Sequence, residues 1–153
     1  MRTNKFSSFY FFISFILGGI LMSADAKTIS NNKKNDTALP TQLLSAAYAA
    51  FNARDIDAAV KLMSPTVTWP KAFKGGVVNG PNEIRAYWTE QWSEINPRVE
   101  PTAFYPQPDS KILVDVHQVV RNLEGHIIAD EHVCHRFTIK DGLIQAMELC
   151  SLP

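Results

Sequence analysis

Two cysteines in 153 residues are too few for a disulfide-built scaffold or a four-thiolate zinc site. The chain also has no basic surplus, because 15 Lys and Arg meet 15 Asp and Glu. A face that grips a phosphate backbone needs such a surplus, so nucleic acid is excluded as a partner. Its glycines make no phosphate loop, since Gly75-Gly76 lacks both the following helix and the lysine of that motif. There is no internal repeat, and no motif calls for a cofactor. Apolar residues are not scarce: they make up 46% of the chain, with 10% aromatic, which excludes a disordered protein. The length fits one domain and is too short for a TIM barrel or a pair of dinucleotide-binding units.

The chain opens on an address. Arg2 and Lys5 precede a charge-free run from Phe6 to Met22, followed by Ser23-Ala24-Asp25-Ala26. A positive start, an apolar stretch and small residues at an A-x-A site make a secretory signal peptide over residues 1–26. The apolar run is 17 residues long, at the lower limit for a membrane span. Cleavage after Ala26 is the favoured reading, with an uncleaved anchor as the alternative. Cleavage makes the protein secreted or periplasmic and leaves it without a membrane attachment. No cysteine follows the run, which excludes a lipoprotein anchor. Removing residues 1–26 from 153 leaves 127, with 13 basic and 14 acidic side chains. Residues 27–39 are polar around Asn31-Asn32-Lys33-Lys34-Asn35 and read as a flexible leader. Asn35-Asp36-Thr37 is a glycosylation sequon, meaningful only in a eukaryotic secretory route. The folded domain then covers residues 40–153.

Three helices and a sheet are expected from the patterning. Pro40 suits a first helical turn, and Leu43, Leu44, Ala47, Tyr48, Ala50 and Phe51 follow at helical spacing. Asp55 is an N-cap for a short second helix bearing Ile56, Ala59, Val60 and Met63. Val67-Thr68-Trp69 reads as a strand ended by Pro70, and Val77-Val78 pairs back after the Lys74-Gly75-Gly76 turn. Gly80-Pro81 opens a third helix whose Ile84, Tyr87, Trp88, Gln91, Trp92 and Ile95 share one face. Strands follow at Val99–Tyr105, Lys111–Arg121, Ile127–Ile139 and Leu143–Cys150. Pro101 places the first of these at an edge or a bulge, and Asp141-Gly142 is a two-residue hairpin turn. This order predicts an α+β domain with helices on one side of a curved antiparallel sheet.

Several segments resemble SnoaL-like proteins of the nuclear transport factor 2 (NTF2-like) superfamily. They are Ala46–Ala58 at the opening helices, Trp69-Pro70 followed by Gly80–Trp88, and His135–Ile144 at the last hairpin. The resemblance runs from about Leu43 to Leu149. It implies a cone-shaped α+β barrel with three N-terminal helices and a hydrophobic pocket at one end. Relatives include polyketide cyclases, ketosteroid isomerases, epoxide hydrolases, dehydratases and binding-only proteins, so the fold does not decide the chemistry. In ketosteroid isomerases an Asp before a Pro is the general base. Here Trp69 precedes Pro70, and an indole cannot abstract a proton. Aligned through Asp55, the family's helix tyrosine falls at Ala47, with Tyr48 next to it. Its second carboxyl falls near Val133 or Cys134. The isomerase mechanism is therefore disfavoured.

Strand parity sorts the polar residues onto two faces. If Asp141-Gly142 is a simple turn, His135 lies opposite Glu148, and Phe137 opposite Ala146. The buried face then carries Val114, Val116, Val133 and Phe137, with Gln118, Glu131, His135 and Glu148 set among them. A few polar groups in an apolar wall is the composition of a ligand pocket. His135 with Glu131 or Glu148 is the candidate catalytic set, the carboxylate raising the imidazole pKa and fixing its tautomer. A structural His–Glu bond is the alternative. Tyr48, Trp69, Tyr87 and Trp92 are candidates for a wall that stacks on a ring-shaped ligand, with Val116, Gln118 and Phe137 beside them. The outer face carries Asp115, His117, Asp130, His132, Cys134 and Arg136, with Leu113, Val119, Met147 and Leu149. No metal is assigned there, because His132 and His135 point to opposite faces and no ligand spacing supports one. Cys134 and Cys150 fall on opposed faces and are expected as two free thiols, unless the last strand is bulged or frayed. Three functions compete: binding of a small hydrophobic molecule, an isomerase, cyclase or dehydratase activity, and a homodimer formed through the outer sheet face.

Overall fold

The computed structural model describes residues 25–152, with side chains from residue 38 onward. Residues 1–24 of the expected signal peptide lie outside the described residues. The elements are α1 (Asp25–Asn52), α2 (Ile56–Val60), β1 (Met63–Pro70), β2 (Val77–Asn79), α3 (Gly80–Glu94), β3 (Asn96–Gln107), β4 (Lys111–Arg121), β5 (Ile127–Lys140) and β6 (Leu143–Cys150). Among the described residues no helix is long and apolar enough to cross a membrane.

α1 begins before the expected Pro40 and takes in residues 27–39. Pro40 lies inside it and has no N–H to donate to the helix ladder. The core-facing stripe starts beyond that break, with Leu44, Ala47, Tyr48 and Ala50 buried. The Asp55 carboxylate accepts from the Ala58 N–H at 2.9 Å and caps α2, as its residue type predicts. α3 opens at Gly80, whose φ of +76° strains any side chain and where a Cβ would crowd the Pro65 carbonyl at 3.2 Å.

Among the described residues the sheet has six strands in the order β2-β1-β6-β5-β4-β3. It is curved and unclosed, in keeping with the expected cone-shaped α+β fold. All neighbours are antiparallel except β1 and β6, which run parallel. β3 is the free edge on one side, and Pro101 sits at a shift in its register, so its proline is both at an edge and at a bulge. Asn52 stitches that strand to α1: its amide donates to the Val99 carbonyl at 2.7 Å and accepts from the Val99 N–H at 3.0 Å. The β4–β5 pairing has the expected parity, with Gln118 opposite Glu131, Val114 opposite His135 and His117 opposite His132.

The β5–β6 register is not. Asp141 and Gly142 do form the tight turn, both with positive φ, and Ile139 pairs with Ile144. A shift between Thr138 and Ile139 then pairs Thr138 with Ala146 and leaves Gln145 as an extra residue. One extra residue turns every later side chain of the strand to the other face. Three expectations are corrected by it. Glu148 stands opposite Arg136, not His135, and pairs with the Arg136 Nε at 3.0 Å on the outer face. Met147 points inward and is buried, so the outer apolar patch of Leu113, Val119, Met147 and Leu149 is not continuous. Cys134 pairs with Cys150 at a Cα separation of 4.9 Å, and the two form a disulfide instead of free thiols.

A crosslink closing a loop of this size, 16 residues apart in sequence, removes unfolded-state entropy. Reduction, or Cys134→Ser with Cys150→Ser, is expected to lower the unfolding free energy by about 2–3 kcal/mol. Urea denaturation with and without reductant checks this. Equal midpoints would mean the bridge contributes nothing.

Candidate functional site

A cavity of about 60 Å³ lies between the concave sheet face and the helices. α1 contributes Ala47, Tyr48 and Phe51, and α3 contributes Tyr87, Trp88 and Gln91. The sheet supplies Trp69, Val99, Gln118, His135, Phe137 and Met147. The loop after β1 adds Ala72 and Phe73. The aromatic wall is built edge to face: Trp69 meets Trp88 at 5.5 Å between ring centroids and Phe137 at 6.0 Å, and Phe51 meets Trp88 at 5.0 Å. Edge-to-face contact is a favoured arrangement of aromatic rings and contributes beyond the area it buries. The Lys74 ammonium bridges Glu90 at 2.6 Å and Glu94 at 2.9 Å, tying the 71–76 loop to α3 beside the cavity.

Polar groups enter this wall at few points. The Tyr48 hydroxyl meets His135 Nδ1 at 2.9 Å, and the two rings are nearly parallel at 9°. Burial holds the Tyr48 hydroxyl well above its ordinary pKa and pushes the His135 imidazole down to about 4. Both are therefore neutral at neutral pH. On α3, Gln91 Nε2 donates to the Tyr87 hydroxyl at 3.0 Å. Burial raises the Tyr87 pKa, and hydrogen bonds from the backbone at Ala72 and Phe73 oppose that rise. Gln118 Nε2 makes a long contact of 3.5 Å with Glu131.

The residues singled out in the sequence take different places. Tyr48, Trp69, Tyr87, Gln118, His135 and Phe137 all line the cavity. Val116 is fully buried in the core and does not reach it. Trp92 stands behind Phe51, under the Arg54 guanidinium at 4.7 Å, and does not line the cavity either. Glu131 is exposed and bonds Gln118, not His135. With Glu148 on the outer face, no carboxylate hydrogen-bonds His135 among the described residues. The imidazole partner is Tyr48, and its pKa moves down where a carboxylate would have moved it up. Sequence reasoning missed Phe51, Gln91 and Met147 as lining residues. Phe51 and Gln91 were visible in the helical stripes, whereas Met147 was hidden by the bulge.

The outer face holds two carboxylate–imidazole pairs, His117 with Asp130 at 2.7 Å and His132 with Asp115 at 2.8 Å, the imidazoles stacked 5.3 Å apart. Among the described residues no group of three or more His, Cys, Asp or Glu is placed to hold a metal ion.

An open, strongly curved sheet wrapped on helices around an aromatic-lined pocket is the architecture of an NTF2-like protein. The SnoaL-like domain profile matches residues 44–147, and the chain belongs to that family. TerC, crystallised with polyporic acid, is similar at 27% identity and a TM-score of 0.66, over 74% of this chain and 91% of its own. An NTF2-like protein of unknown function from Burkholderia pseudomallei matches at 21% identity and a TM-score of 0.66, over 74% and 91%. An LEH-like epoxide hydrolase of M. tuberculosis matches at 12% identity and a TM-score of 0.62, over 73% and 81%. The last two show the fold alone. No curated protein matches the chain.

Because His135 is held neutral when folded, the unfolded state takes up its proton first as pH falls. The stability this contributes is complete above the unfolded pKa of about 6.5 and is lost as pH falls toward about 4. Relative to His135→Leu, the wild-type protein is expected to lose on the order of 3 kcal/mol across that window. Chemical denaturation at stepped pH measures it. Parallel pH profiles of the two proteins would show that the site is not desolvated.

Proposed function

We propose that this is an exported SnoaL-like domain whose pocket binds a small, largely apolar ring compound. The observation that carries the reading is the cavity itself, with aromatic rings set at fixed angles and a small number of polar groups, which is how small-molecule sites are composed. TerC's crystallisation with polyporic acid supports a ring compound as the ligand class. The volume of about 60 Å³ is well below the roughly 300 Å³ at which such pockets begin, so a ligand enters by moving a wall. The 71–76 loop with the half-exposed Phe73 is that wall, because surface ion pairs clip it to α3 and such pairs are weak. Export is supported by the positive start and apolar run of residues 1–26 and by the disulfide, which persists in oxidising compartments.

An enzymatic reading in the cyclase, isomerase or dehydratase manner retains one supporting observation, the position of His135 on the cavity. Among the described residues it has no carboxylate to make that imidazole a base, and a group with a pKa of about 4 is a weak base at neutral pH. A homodimer through the outer face is a third reading. It depends on a continuous outer apolar patch, which the inward turn of Met147 breaks.

Expression of the full chain in an exporting host, followed by mass and NMR measurements, tests the proposal. The recovered protein is expected to begin at Lys27. A set of planar aromatic compounds should shift resonances of Trp69, Tyr87 and Phe137 while leaving His117 and His132 unmoved. An uncleaved chain would overturn export, and shifts confined to the outer face would overturn the pocket.

A further inference from the structure

His135 has two ring nitrogens and one hydrogen-bond partner among the described residues. Nδ1 meets the Tyr48 hydroxyl at 2.9 Å, and no described residue hydrogen-bonds Nε2. Nε2 is also not sealed from solvent without a hydrogen bond, as Trp92 Nε1 is. His135 lines the cavity, and Nε2 is its one ring nitrogen left to face it. The tautomer follows from the donor inventory. A neutral imidazole donates at one nitrogen and accepts at the other. If Nδ1 carried the proton, the Tyr48 O–H would be left without an acceptor in the core, a cost of the order of a lost hydrogen bond. If the Tyr48 hydroxyl donates to Nδ1, its proton is paired inside the core, and the one donor left over is the Nε2–H, on the nitrogen that a ligand in the cavity can reach.

The imidazole is held in that orientation from two sides. Tyr48 lies parallel to it at 6.0 Å between ring centroids, and Phe137 presents an edge at 6.2 Å. Of the other polar groups of the wall, Gln91 donates to the Tyr87 hydroxyl and Gln118 makes a long contact with Glu131. We infer that Tyr48 is a positioning residue that fixes His135 as an Nε2–H donor, so that the pocket selects ring compounds bearing an acceptor oxygen, such as a ketone or quinone carbonyl. Hydrocarbons of the same shape leave that N–H unpaired and are discriminated against. The inference rests on the proposed small-molecule pocket and adds the chemistry of its ligand. It also assigns His135 a role opposite to that of a general base.

Two measurements test it. Long-range proton–nitrogen correlation of the His135 ring in the wild-type protein needs no variant and is expected to show the Nε2–H form. A Nδ1–H form would overturn the inference. Binding of 1-indanone and indane, probes of the same ring system with and without a carbonyl, is then followed at the Trp69 and Phe137 resonances. 1-Indanone is expected to bind about tenfold more tightly than indane, the worth of one hydrogen bond. In His135→Leu the preference should vanish while indane still binds, which controls for folding. Tyr48→Phe should reduce the preference and mix the tautomers. Equal binding of both probes by the wild-type protein would overturn the donor role and leave the pocket standing. Binding of neither would overturn both.

Discussion

Tyr48 on α1 and His135 on β5 are 87 residues apart in sequence and meet at 2.9 Å inside the core. That contact joins the helix layer to the sheet at the point where the cone must stay open. Around it, apolar packing alone would close the space, since interiors reach crystal-like density. Here two polar groups need one another, and replacing either one alone by an apolar side chain leaves its partner unpaired. Phe137 meets both rings of the pair edge-on, and from it the edge-to-face contacts run on through Trp69 and Trp88 to Phe51. The pocket is what remains between them.

A single extra residue in β6 decides which side chains belong to that pocket. Gln145 is that residue and turns outward, where its amide reaches Thr66 at 3.1 Å. Past that point Met147 enters the core, Glu148 leaves it, and Cys150 comes into register with Cys134. The disulfide, the missing carboxylate at His135 and the broken outer patch are thus one event with three outcomes. Burial keeps the imidazole neutral, and no carboxylate stands beside it to charge it, because Glu148 sits on the opposite face.

Periodicity made the helices and most strands legible. The stripe from Leu44 to Phe51, the Asp55 cap, the Gly80-Pro81 start and the Asp141-Gly142 turn each have a local cause written in residue type. The β4–β5 pairing was legible for the same reason, because two alternating strands fix their own faces. The bulge near Thr138 was not, since no glycine or proline marks it and a register shift of one depends on tertiary packing. Tyr48 and His135 could each be picked out as candidates on separate elements. Their bond to one another could not, because no spacing in the chain encodes a contact between a helix and a strand so far apart. Phe73 carried no signal at all, lying in a loop without periodicity.

The claim that this hydrogen bond organises the site is tested most directly by a double-mutant cycle on stability, with Tyr48→Phe, His135→Leu and the pair. If the two groups satisfy each other in the core, the double variant loses less than the two singles together. The predicted coupling is about 1 kcal/mol or more. Losses that add to within about 0.5 kcal/mol would show that the two side chains act independently, and Tyr48 would then not be what holds His135 in the pocket.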